Sequence, residues 1–386
     1  MGVELGHGTG PLRGVRVVEL AGIGPGPHAC TILADLGADV IRLERPGGAP
    51  TAGGSRETDL LTRGRPSVAL DLKHPAAVEA VLQLVETADI LVEGMRPGAT
   101  ERLGVGPEEC LARNPRLVYG RMTGWGQTGP LAHAAGHDMN YIAITGALHG
   151  LGQDPQRPHF PSNLVGDFGG GSTYLVIGVL AALLEARTSG RGQVVDAAIV
   201  DGTTHLNTMA TAMLAGGTLT EKRASNLLDG GAPFYDLYET ADGRHMTVGA
   251  LEPKFYEEFV TLLGIKDEAP DRYDLDRLDE LRELIARTFR QKTMTEWAGI
   301  FDGTDACVAP VLTISEAARD PHIVARGSLV EHEGIIQPAP APRFSRTEAT
   351  LGTPPTAAGA ATVEALEAWG VKDVTALVES GAAVQA

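Results

Sequence analysis

Residues 15–44 read VRVVELAGIGPGPHACTILADLGADVIRLE, and this stretch decides the fold. VRVVEL (15–20) is short and β-prone, AGIGPGPHACTILADLGA is a glycine-rich turn running into an amphipathic helical repeat, and DVIRLE (39–44) is β-prone again. Strand, turn, helix, strand is a βαβ unit. The alternation continues outward through SVALDL (67–72), HPAAVEAVLQLVETA, DILVEGM, PEECLARN and RLVYGRMTG. Strands alternating with helices of this length imply an α/β fold, a mostly parallel sheet covered on both faces.

Beyond that core the texture changes. Residues 137–188 read as helical with breaks at glycines, and GQVVDAAIVDG (192–202) gives a short strand and a helix start. LYETADGRHMTVGA (237–250) holds two β-prone runs joined by Ala-Asp-Gly, a hairpin signal. Residues 255–320 read as charged amphipathic helices and imply a second, smaller domain. PAPAPRFSRT (338–347) reads as a surface crossing, and the tail after it as helical.

The chain has 386 residues, 43% hydrophobic and 21% charged, with a formal net charge of −17. A long, balanced chain buries ample core, and the acidic excess argues against nucleic acid as a partner. Cys30, Cys110 and Cys307 match no metal or disulfide spacing, which fits a reducing compartment. No secretory design opens the sequence and AVQA is no peroxisomal address. TYLVIGVLAALLEA amounts to one buried helix, so the expectation is a cytoplasmic protein without a membrane anchor.

Gly24, Gly26 and Ala29, with Glu44 closing the next strand, approach the dinucleotide-binding fingerprint. Against it, Pro27 removes an N–H that a pyrophosphate would use; a tight turn that merely starts a helix is the plainer reading. Arg42, Arg45, Arg96, Arg102 and Arg121 recur near strand ends, where α/β sheets bind ligands. Together they suggest a phosphorylated or carboxylated ligand, with solvated surface charge as the alternative.

Two ionisable groups precede apolar runs. In NLVGDFGGGS, Asp167 reads by itself as a helix N-cap, but the three glycines after it are costly in a helix and point to a close approach. In AGHDMNYIA, Asp138 reads as the N-cap of a helix starting at Met139, leaving His137 just outside to move a proton. The exposed N–H groups of that helix start would stabilise a developing oxyanion.

These blocks, together with EGMRPGATERLG, RMTGWGQTGP, GRGQVVDAAIVDG, LDGGAPFYDLYETADGR and PHIVARG, resemble the class III CoA-transferase superfamily over nearly the whole chain. The likeness is greatest to its α-methylacyl-CoA racemase branch. The resemblance implies interconversion of (R)- and (S)-2-methylacyl-CoA thioesters by two-base proton transfer through an enolate. It implies no metal and no cofactor, CoA being part of the substrate. A class III CoA-transferase, with Asp167 as nucleophile, is the alternative, although the GHD block is generally absent there. By resemblance His137 and Asp167 flank the substrate α-carbon, and Glu252 is an acid supplied from the small domain to partner the histidine. CoA is expected against Arg45, Leu70, Asp71, Leu72, Lys73, Gly94, Met95, Arg96, Arg102, Gly136, Asp138, Met139, Asn140 and Tyr141.

The resemblance also implies an interlocked homodimer. Its large Rossmann-like domain spans 1–197 and is completed by 344–386. A linker at 198–235 leads to a small α+β domain at 236–324, and 325–343 return the chain. The N-terminal GVELGHGTG and the loop at 46–56 read as particular to this chain. Met122, Met139, Met209 and Met213 could form an adaptable acyl-binding surface or be ordinary core residues.

Overall fold

The structure, a computed structural model, describes residues 3–50 and 54–386. Part of the loop at 46–56, and the first glycine of GVELGHGTG, therefore lie outside the described residues. The chain divides into two compact units. The first comprises Met1–Thr145, Pro161–Asn207 and His322–Ala386; the second comprises Gly146–Phe160 and Thr208–Pro321.

The first unit is built on strands β1 (Arg16–Leu20), β2 (Asp39–Glu44), β3 (Ser67–Leu70), β4 (Ile90–Glu93), β5 (Val118–Thr123) and β6 (Gln193–Ala198). They run parallel in the order β3-β2-β1-β4-β5-β6, and Ala383–Val384 adds an antiparallel pair beside β3 to make a seven-stranded sheet. This is the expected mainly parallel α/β sheet, and the strand order reverses between β1 and β4. At such a switch point the loops leaving the carboxyl ends of neighbouring strands diverge and open a crevice. The loops concerned are those after Leu20 and after Glu93.

Apolar side chains alternate through the pleat, so each strand feeds two cores. Val18, Ile41, Val68 and Leu91 face one core with α2 (Pro75–Thr87) and the helix Thr362–Ala368. Val17, Val40, Ile90 and Val118 face the other with α1 (Pro25–Asp35) and the apolar helix Thr173–Ser189. Leu164–Ser189 is long and apolar enough to cross a membrane by length and composition. Its buried side, including Leu175 and Val179, packs into the sheet core.

The second unit has an antiparallel sheet of three strands, Tyr235–Glu239, His245–Gly249 and Val308–Pro310. The first two form the hairpin that the Ala-Asp-Gly turn implies. Helices Pro253–Leu263, Leu278–Phe289 and Met294–Phe301 cover it around Phe259, Phe289, Trp297 and Phe301.

Three segments differ in detail from the sequence reading. Residues 198–235 carry the helices Ile199–Leu206 and Thr208–Ala215. Gly146–Phe160 clusters with the second unit. There the buried Arg223 guanidinium donates to the carbonyls of His149, Asp154 and Pro155. Residues 325–343 contain an antiparallel hairpin, Leu329–His332 with Ile335–Pro338. Its Gln337 accepts from buried Arg63 at 3.0 Å.

Candidate active site

Two adjoining cavities open where the sheet order reverses. One, of about 480 Å³, is lined by His137 and Asp167 together with Gly94, Met95, Arg96, Gly136 and Tyr141. The other, of about 470 Å³, is lined by Arg45, Leu70, Asp71, Leu72 and Lys73. Ile23 and Met95, from the loops after β1 and β4, line both. Most residues expected against CoA thus fall on one continuous wall at the carboxyl ends of the strands.

The arginines divide. Arg42 is 2% exposed and paired with Glu19, which also binds Arg65 at 2.9 Å. Arg121 is held by Glu93 at 2.9 Å and Glu101 at 2.8 Å. Neither is free for a ligand, which corrects the sequence reading: both are committed to acids one strand or one helix away. Arg45, Arg96 and Arg102 remain exposed. The pairing at Arg121 still serves the site, because Glu93 Oε2 accepts from the Met95 N–H at 2.6 Å and fixes the turn at 94–96.

His137 is the N-cap of the helix Asp138–Ile144, and its own N–H donates to Asn140 Oδ1 at 3.0 Å. The helix therefore begins one residue earlier than read, and Asp138 does not cap it. Asp138 turns inward instead, 7% exposed, and accepts the Asp167 N–H at 2.6 Å. Met139 is exposed, Asn140 serves the cap, and neither lines the cavities. The Tyr141 hydroxyl donates to the Gly136 carbonyl while its ring stands edge-on to Trp125 at 4.7 Å. Arg102 also lies outside both linings.

Asp167 does not precede its helix. It sits inside a π-helical segment, Leu164–Ser172, that runs directly into Thr173–Ser189. Such segments are rare and recur at functional sites. The glycines explain the close packing: a Cβ on Gly166 would overlap the Asp138 carboxyl, and one on Gly170 would overlap Thr203. Asn163 Nδ2 donates to Asp167 Oδ2 at 3.3 Å. Burial raises the Asp167 pKa above the ordinary aspartate value; the Asn163 hydrogen bond opposes this, nearby Asp138 adds to it, and His137 opposes it. Burial raises Asp138 too, against the backbone hydrogen bonds it accepts.

Sequence reasoning missed Asn163, although it lies four residues before Asp167 on the same helical face. It also missed Ile23 and Trp125, whose own side chains are not ionisable. Glu252 stands at the N-cap position of the helix Pro253–Leu263 in the second unit, makes no side-chain capping bond and is exposed. Met122 is a core residue that also lines the His137–Asp167 cavity, while Met209 is 59% exposed. Among the described residues no cluster of three or more metal-ligating side chains occurs.

A profile of CoA-transferase family III matches residues 12–362. The chain belongs to that family. Within it, the chain is 43% identical to the α-methylacyl-CoA racemase of Mus musculus over 362 residues, 93% of each chain. It is 43% identical to the α-methylacyl-CoA racemase of Homo sapiens over 341 residues, 88% of this chain and 87% of the relative. A crystal structure of a CaiB/BaiF family protein from Brucella suis superposes with a TM-score of 0.81 at 26% identity, covering 94% of this chain and all of that one.

Proposed function

We propose that this family III member is an α-methylacyl-CoA racemase working by two-base proton transfer, with His137 and Asp167 as the bases. The observation that carries the reading is that both side chains line one cavity, beside a wall of residues suited to CoA. Inverting the carbon next to a thioester needs a proton removed from one face and another delivered to the opposite face. The α-proton is much less acidic than either side chain, so the enolate must be stabilised as it forms. In this scheme the first N–H groups of the helix Asp138–Ile144 receive the thioester oxygen. One enantiomer is deprotonated by the imidazole and reprotonated by the carboxylic acid; the other follows the reverse course. The raised pKa of Asp167 makes it a stronger base than an ordinary aspartate, which suits a group that takes up and returns a proton.

In the same reading CoA lies against Arg45, Leu70, Asp71, Leu72, Lys73, Gly94, Met95, Arg96, Gly136 and Tyr141, and Glu252 is a further acid of the reaction. No organic cofactor or metal takes part in the scheme. The active form is an interlocked homodimer. Supporting that is exposed apolar surface on the first unit, where Ile177 is 57%, Leu184 70% and Ile144 63% exposed. Sedimentation of the full chain should give twice the monomer mass.

The deciding experiment supplies (R)- and (S)-2-methylacyl-CoA in D₂O without any carboxylate acceptor. Deuterium uptake at C2 with loss of optical purity is the expected result. CoA exchange that appears only when a free carboxylate is added would replace the racemase with a transferase in which Asp167 is the nucleophile.

A further inference from the structure

The first turn of α1 lies against the segment that carries Asp167, and one side chain joins the two. His28 Nδ1 sits 2.6 Å from Ser172 Oγ. The His28 ring lies 4.4 Å from the Phe168 ring, tilted by 35°. Ser172 is fully buried, and its hydroxyl bridges His28 Nδ1 and the Phe168 carbonyl, which lies 3.0 Å away. When the hydroxyl donates to the carbonyl, its oxygen accepts from the His28 tautomer that carries its proton on Nδ1. Both partners of His28 therefore converge on Phe168, the residue that follows Asp167. From the same turn, a Cβ added to Gly24 would stand 3.3 Å from Asp167 Oδ2.

A π-helical turn holds one residue more than an α-helical turn. If the segment relaxed to α-helical spacing, each side chain on its N-terminal side would swing by about 100° around the axis. Asp167 would then leave the cavity. Something must hold the extra residue in place, and the backbone alone has little reason to. We propose that His28 is a positioning residue for Asp167: gripping the ring and, through Ser172, the carbonyl of Phe168, it keeps the π-turn in the register that presents the carboxyl. Burial and the guanidiniums of Arg63 and Arg65 lower the His28 pKa, which favours the neutral ring. The assignment rests on the reading of Asp167 as an acid–base group of a racemase.

The test uses the full chain and three variants. His28→Asn keeps a donor where Nδ1 stands, His28→Phe keeps only the ring, and His28→Ala keeps neither. C2 deuterium uptake is followed separately from (R)- and (S)-2-methyldecanoyl-CoA, alongside racemisation and melting temperature. Asp167→Ala identifies the enantiomer that Asp167 deprotonates. For that enantiomer His28→Phe and His28→Ala should slow uptake by up to about 10²-fold, the scale of a small misplacement. Uptake from the other enantiomer and KM should change little, and His28→Asn should recover most of the loss. Equal loss for both enantiomers accompanied by a lower melting temperature would reduce His28 to a structural role and overturn the assignment. Unchanged uptake in His28→Phe would overturn it as well. If the wild-type protein itself takes up no deuterium, the racemase reading falls and this assignment falls with it.

Discussion

His137 and Asp167 face one cavity from two different mountings. His137 stands exposed at the start of a seven-residue helix, tied locally through Asn140. Asp167 is half-buried in a glycine-lined π-segment, held by Asp138, by Asn163 and by close contact with the helix Ile199–Leu206. The imidazole keeps access to solvent, while the carboxyl is stripped of part of its hydration and its pKa rises. The raised pKa makes the Asp167 carboxylate a stronger base than an ordinary aspartate, which suits a group that must abstract a weakly acidic proton.

The largest effect expected from breaking this pair is on turnover. His137→Ala and Asp167→Ala should each lower racemisation by about 10²–10⁴-fold. Each should also retain C2 exchange for only the enantiomer served by the surviving base, read by mass spectrometry in D₂O. A folded variant of either kind with near-normal racemisation would end the two-base scheme.

Next in size is the difference in packing. Gly170→Ala forces a methyl group into Thr203 and should cost about 1–3 kcal/mol, measured by denaturant unfolding. Asp138→Ala leaves the Asp167 N–H without its acceptor, for a loss of about the same size. Both should reduce turnover along with stability, because the Asp167 mounting and the packing are one structure.

The pH dependence sharpens the contrast further. Burial raises the Asp167 pKa in the folded state, so the folded chain binds that proton more tightly than the unfolded chain does. Its contribution to stability is full below the unfolded aspartate value of about 3.9 and is lost as the pH rises through the raised value. Asp167→Asn removes this titration. Its melting temperature should exceed that of the wild type at neutral pH, and the advantage should vanish below about pH 4. A constant offset across the range would mean the carboxyl is not desolvated. The smallest effect belongs to the looser mounting: Asn140→Ala, which removes the acceptor for His137 N–H, should cost only about 1 kcal/mol.

How much of this was legible in the sequence follows from how local each signal is. The βαβ opening could be read because residues 15–44 carry two periods, 2 and 3.6, with a proline-marked turn between them. The hairpin at 235–249 could be read because its turn residues require it. The fates of Arg42 and Arg121 could not, since Glu19 and Glu93 become their neighbours only after the strands pair. Nor could the π-segment: three consecutive glycines erase the periodicity that would reveal an extra residue in a turn. The two catalytic candidates stood out as ionisable groups beside glycines, and the resemblance gave their roles. Their common cavity is a property of the sheet's reversal between β1 and β4, which no local pattern encodes.

Asp138 has a consequence for how this chain can vary. It is covalently next to His137 and hydrogen-bonded to the backbone of Asp167, so it yokes the two. Between these two points the chain detours into the second unit and back through Gly146–Phe160. With the ends of the detour clasped together, its length and composition are free to drift without changing the gap between imidazole and carboxyl. Insertions and deletions among relatives should gather in that excursion and spare the clasp.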